Sequence, residues 1–204
     1  MEYFYHVLYG VLMAYIGLIS PGMLNMTALK IRLNTGKTES LIFSIGASLV
    51  VFFQAGIALY FADFFIHNPK IIDILKIVAI VIFFVLAGFF FMLSRKDLKP
   101  KTTNGKSNFF VKGVLMSSIN MLAIPFYLGI SIYLSSKGKI SIEQPYIMLF
   151  VFGASIGSFL IFYTYLIFAK FINEKVSFIA KNINFILSLL FLFLAIFTWI
   201  KILP

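Results

Sequence analysis

Two short stretches hold the residues of this chain best suited to chemistry. One runs from Ser20-Pro21-Gly22 to Asn25, the other from Asn120 to Pro125 and Tyr127. Each sets a helix breaker beside side chains that form hydrogen bonds, inside a long apolar run. Proline has no N–H and pushes aside the carbonyl four residues earlier, so Pro21 frees that of Gly17 and Pro125 that of Met121. Gly22 lets the backbone turn where a side chain would clash. In hydrocarbon an unpaired carbonyl is expensive, and irregular backbone survives only when buried in protein or lining a wet cavity. The chemistry on offer is therefore non-covalent. Freed carbonyls, helix ends and the polar groups of Ser20, Asn25, Asn120 and Tyr127 are suited to holding a small polar molecule.

Gln54 is the one long polar side chain deep in the second apolar run, so it bonds a neighbouring helix or faces the cavity. Asp63, near the outer end of that run, is the candidate for coupling to an ion. Neither His6 nor His67 lies deep in a run, so no nucleophile has a base beside it and no enzyme is expected. The chain has no cysteine, no His or carboxylate pair at metal-ligand spacing on one helix face and no P-loop. We expect no metal, no cofactor and no ATP hydrolysis.

The elements that must position these residues are membrane helices. The 204 residues are 61% hydrophobic and 12% charged, too little charge to cover a water-soluble domain. Six apolar runs of spanning length follow one another: Phe4–Met26, Leu41–Phe61, Ile71–Leu93, Phe110–Leu134, Tyr146–Ala169 and Ile183–Leu203. They are too long, and alternate too little, for barrel strands. The first run lacks a basic leader and a cleavage site, so it is read as a retained span rather than a signal peptide. The net charge of +10 lies in segments between runs and makes no aromatic-interleaved basic face, so nucleic acid is not expected.

The polar stretch Ser94 to Ser107 divides the chain. We expect a first three-helix repeat at 1–93, a basic cytoplasmic connector at 94–108 and a second repeat at 109–204. Gly10-Val-Leu-Met13 recurs as Gly113-Val-Leu-Met116, Pro21 matches Pro125, Gly46-Ala-Ser48 recurs as Gly153-Ala-Ser155, and Ala87 lies over Ala195. Three spans is an odd number, so the second copy enters the membrane from the other side. The fold expected is an all-α polytopic membrane protein of six transmembrane helices, built as two inverted repeats, with helices 1 and 4 broken at proline. Inverted repeats with paired broken helices point to a transport site near the midplane. Twelve Lys and Arg fall on one side of this topology and five on the other, which puts both termini outside. Small residues crowd the second and fifth runs, where they allow close helix approach.

These residues resemble the LysE/RhtB-type amino-acid exporter family, small six-span inner-membrane proteins. Ser20-Pro21-Gly22 is similar to the family's Pro-Gly-Pro motif, Gly36, Gly46 and Gly56 to the glycines that follow it, and Gly113, Asn120 and Pro125 to its Asn-Pro element. The chain departs at Met23, where the family has its second proline, at Ile124, where it has asparagine, and at Phe126, where it usually has lysine. The resemblance implies efflux of amino acids or similar small metabolites across a bacterial cytoplasmic membrane. The absence of a carboxylate beside Pro21 or Pro125 favours a zwitterionic over a strongly cationic substrate. The expected partners are that substrate, the lipid bilayer, a coupling ion (H+ or Na+) and further copies of the chain in a homo-oligomer. A non-catalytic subunit of a membrane complex and a divalent-cation exporter remain the alternatives.

Overall fold

The computed structural model describes residues 2–67, 69–95, 108–120 and 122–202; the side chains of 65–76, 78, 79, 82, 93, 175–184 and 201–202 lie outside the description. The expected connector falls largely on residues 96–107, outside it, as do the Met121 carbonyl and the side chain of His67. The described residues form helices α1 (Glu2–Gly17), α2 (Met23–Asn34), α3 (Lys37–His67), α4 (Pro69–Ser94), α5 (Phe109–Ser118), α6 (Ala123–Ser136), α7 (Tyr146–Ile167) and α8 (Ala169–Ile202), with no strand among them.

Local signals set several helix ends. α2 stops where the Thr35 and Gly36 N–H groups both turn back to the Ile31 carbonyl, and Gly36 takes φ +150°, which suits glycine. α5 starts where the Asn108 side chain accepts the Val111 N–H at 3.3 Å. α3 outruns its apolar run at both ends; at the first, Lys37 and Glu39 are good helix formers and Ser40 donates to the Ala28 carbonyl of α2 at 2.7 Å.

α3 and α7 are each long and apolar enough to cross a membrane. A third span is α5 with α6, if that pair, bent by 63°, is taken as one. Shorter apolar helical stretches, Phe83–Met92 and Phe185–Ile200, lie in α4 and α8.

The outer face of α3 is apolar, unlike that of a helix on a water-soluble protein. Ile45, Leu49, Phe53, Ile57 and Tyr60 recur at helical spacing on the exposed face of α3. Ser40, Ser44, Ser48 and Gln54 of the same helix are buried. A continuous apolar outer stripe and hydroxyls within are the arrangement that lipid favours.

The chain forms two compact units. The first takes Met1–Ile66 and Asn104–Val176, the second His67–Thr103 and Ser177–Pro204. In the second, Phe191 stacks on Phe90 at 5.8 Å, Trp199 meets Phe84 edge-on, and Ala87 and Ala195 are buried.

Glycines bring backbones into contact in the first unit. A methyl group on Gly10 (α1) would come within 2.2 Å of the Phe150 carbonyl oxygen and 2.8 Å of the Ala154 nitrogen on α7. One on Gly113 (α5) would come within 2.1 Å of the Phe43 oxygen and 3.0 Å of the Ala47 nitrogen on α3. Gly153 meets the Val7 carbonyl as Gly46 meets that of Phe110. The α1–α7 contacts thus recur as α5–α3 contacts, 103 residues later for one partner and 107 earlier for the other. Ser155 donates to the Ser48 carbonyl at 3.0 Å, so a residue also meets its own counterpart 107 positions away.

Candidate functional site

The first chain break lies between α1 and α2. Leu18 to Gly22 are not helical, and Pro21 sits within them, bridged by a 2.7 Å bond from the Gly22 N–H to the Ser20 carbonyl. Asn25, the third residue of α2, is buried and turns its amide back onto the break. Its Nδ2 donates to the Leu18 carbonyl and, at 2.8 Å, to that of Ser20. The carbonyl between them, that of Ile19, accepts the Tyr165 hydroxyl of α7 at 2.8 Å. Three successive carbonyls released by the loss of helix are therefore held by two side chains, which meets the demand that buried backbone stay paired. Both Asn25 amide protons are used in this way, and its Oδ1 is buried without a partner among the described residues. Ser20 itself is exposed, and Pro21 and Gly22 are half-buried.

The second break lies between α5 and α6, at residues 119–122. Pro125, expected to free the Met121 carbonyl, follows this break. Pro125 is the third residue of α6 and is exposed. A first-turn proline forfeits only an N–H that had no helical partner, so it fits the start of α6 instead of interrupting a helix. The carbonyls at the break are held from outside by Gln54 of α3. Its Nε2 donates to Ser117 at 3.0 Å and to Asn120 at 3.4 Å. As with Asn25, the amide oxygen is left over: Gln54 Oε1 and the Ser117 hydroxyl are buried and have no partner among the described residues.

The two breaks are neighbours. Phe126, in the first turn of α6, packs its ring on Gly17, the last residue of α1. Beside Phe126, Tyr127 is fully buried in a cluster with Val51, Ala55, Phe150 and Ala154, and its hydroxyl is also without a partner among the described residues. The structure thus joins Gln54 to Asn120, gathers Ser20, Pro21, Gly22 and Asn25 about the first break, and sets Tyr127 one residue from the contact between the breaks. Asp63 is half-buried on α3, nine residues past Gln54, roughly 13 Å along the helix axis.

Two contributors were not singled out by the sequence reading. Tyr165 lies among other aromatics in "FYTYLIF", and nothing in that string separates it from packing tyrosines. Ser117 gives no signal in the sequence, because its role as an acceptor belongs to its backbone. Tyr15, near the first break, bonds the Thr164 hydroxyl at 3.0 Å.

A family model described as LysE type translocator matches residues 15–201. No curated protein and no solved structure gives a significant match.

Proposed function

The chain belongs to the LysE type translocator family, a family of membrane transporters, and from that premise we propose that it is a secondary exporter of amino acids or similar small zwitterions. The observation that carries this reading is the matched pair of breaks. In each, the amide of one buried side chain holds two carbonyls and leaves its oxygen over. Asn25 Oδ1 and Gln54 Oε1 are acceptors suited to a substrate ammonium group. The Ser117 and Tyr127 hydroxyls can donate to a carboxylate, as can the N-terminus of α2, where Gly22 caps without a side chain. Ser20, Pro21, Gly22, Asn120 and Pro125 complete the site as backbone and rim.

The exchange of partners between α1–α7 and α5–α3 supports two inverted three-helix repeats, with Ser48 and Ser155 near the pseudo-twofold axis. In such a design one bundle rocks against the other about a fixed site, which is the alternating-access reading we adopt. The six apolar runs support a six-span topology, the distribution of Lys and Arg supports both termini outside, and the family match supports a bacterial cytoplasmic membrane. An ion gradient of H+ or Na+ would drive export, with Asp63 the coupling candidate.

The test is transport by the purified protein in liposomes, loaded with a panel of radiolabelled zwitterionic, cationic and anionic amino acids. Efflux of a zwitterion, lost in Asn25→Leu and Gln54→Leu, is the expected result. No flux of any amino acid under an imposed H+ or Na+ gradient would sink the reading.

A further inference from the structure

His6 is buried at one end of α1 and both of its ring nitrogens are engaged. Nδ1 lies 2.8 Å from the Glu2 carbonyl, which can only accept, so Nδ1 carries the proton. Nε2 lies 2.8 Å from the Ser141 N–H, which can only donate, so Nε2 must be bare. The two backbone partners together demand the neutral imidazole in a single tautomer.

Ser141 belongs to the segment between α6 and α7. Ile140 and Ile142 on either side of it are buried in the core, so the bond to His6 fixes the register of the segment between two apolar anchors. Residues 138–141 form one wall of a cavity of about 460 Å³, whose other wall is Glu2, Tyr5, His6 and Tyr9 of α1. The Tyr146 ring of α7 covers the imidazole at 4.4 Å and its hydroxyl donates to the Glu2 carboxylate at 3.0 Å.

We propose that His6 is a proton-operated clasp, which holds residues 138–142 to α1 while neutral and loosens that wall of the cavity when protonated. Histidine is the side chain whose ordinary titration falls between about pH 5 and 8. A second ring proton would set an N–H against the Ser141 N–H, donor against donor, leaving the two isoleucines and the backbone bonds of Gly138 and Lys139 to α6 as the attachment. The docked form requires the uncharged ring, so it is complete at high pH and lost as pH falls. The charged and titratable groups around the ring are Glu2, Tyr5 and Tyr9 from α1, Lys139 from the segment and Tyr146 from α7, with Tyr3 stacked on Tyr146 and Glu143 beyond it. Glu2 is the group most able to imitate the effect. The clasp stands apart from the identity of the substrate.

The experiment uses the whole protein in detergent or nanodiscs. The chain has no cysteine and two histidines, so both a single nitroxide label and a histidine nitrogen spectrum are readable. With the label on Glu143→Cys, we expect low mobility at pH 8 and a rise on going to pH 5, equivalent to a roughly fivefold shift in the docked-to-loose ratio, the size of one lost hydrogen bond. His6→Gln, which can still donate and accept but does not titrate, stays immobile at both pH values. Ser141→Pro, which lacks the N–H, is mobile at both. Imidazole nitrogen shifts of the unaltered protein, assigned with His67→Gln, show His6 as the neutral Nδ1–H tautomer at pH 8. The proposal is overturned if the Nε2–H tautomer is found, if mobility is flat in the parent, or if the transition persists in His6→Gln. Its disappearance in Glu2→Gln with His6 intact would equally overturn it, since the carboxylate would then be the switch.

Discussion

The ring of Phe126 fills the space that a side chain at Gly17 would need: a methyl group there would come within 2.2 Å of Phe126 Cζ. This is where the end of α1 touches the start of α6, so the two chain breaks share one point of contact. An aromatic ring tip can swing aside where a carbonyl cannot. Gly17→Ala should therefore leave thermal stability within about 1 kcal/mol of the parent, yet reduce liposome efflux several-fold by shifting α6 against α1. Phe126→Ala in the same chain should restore flux to that of Phe126→Ala alone. A double variant no better than Gly17→Ala would show that the contact is incidental.

The glycines that face backbone behave differently. Gly10→Val and Gly113→Val each drive a side chain into a carbonyl that is part of a helix, and overpacking of this kind costs about 1–3 kcal/mol or more. Gly56→Ala and Gly129→Ala meet nothing within 4 Å and should be neutral or gain about 0.5–1 kcal/mol from helix propensity. Thermal or denaturant unfolding in detergent separates the two pairs. Equal effects would mean that α1–α7 and α5–α3 are not the close crossings described.

Asn25→Leu leaves the Leu18 and Ser20 carbonyls without their donor. A buried unsatisfied polar group costs about 1–3 kcal/mol, so the variant should be clearly less stable, and inactive in transport. Asn25→Asp is the sharper comparison, because a carboxylate has the shape of the amide but sets oxygen against carbonyl oxygen. It should be at least as damaging as leucine.

Tyr165→Phe removes one hydroxyl from the Ile19 carbonyl and keeps the ring. We expect a loss of about 1 kcal/mol and partial retention of flux, since Asn25 still holds the carbonyls on either side. A loss as large as that of Asn25→Leu would mean that the tyrosine, not the asparagine, organises the break.

Pro125→Ala should be tolerated, within about 0.5 kcal/mol in stability and with flux preserved, because the residue is exposed in a first helical turn. Pro21→Ala combined with Gly22→Ala should abolish flux, since both residues lie in the non-helical stretch. The contrast is measured most directly by efflux from liposomes matched for protein content.

The sequence carried the breaks of the first and fourth runs, because proline, glycine and asparagine inside an apolar stretch have few structural uses. A proline marks equally well the start of a helix and the interruption of one, so Pro125 alone did not tell where α6 begins. Gln54 stood out as a lone amide in hydrocarbon, but which carbonyls it would meet depends on the approach of α3 to α5, which Gly46 and Gly113 permit and no single run reveals. Tyr165 was illegible for a compositional reason: the chain has 10 tyrosines, and nothing local marks the one aimed at Ile19. The division into two units was likewise invisible, because it unites segments from both halves of the chain while the polar connector suggests a cut between them.

That interleaving has a consequence for biosynthesis. Gly10 waits for Phe150, made 140 residues later, and the Ile19 carbonyl waits for Tyr165. A nascent chain must therefore hold its first kinked segment in the translocon or shield it with a chaperone until α7 emerges. Chains released after α6 should be cleared by quality-control proteases, whereas chains released after residue 176 should already carry a closed first unit. A pulse-chase series of truncations would show this as a step in half-life between those two lengths, and a gradual slope would contradict it.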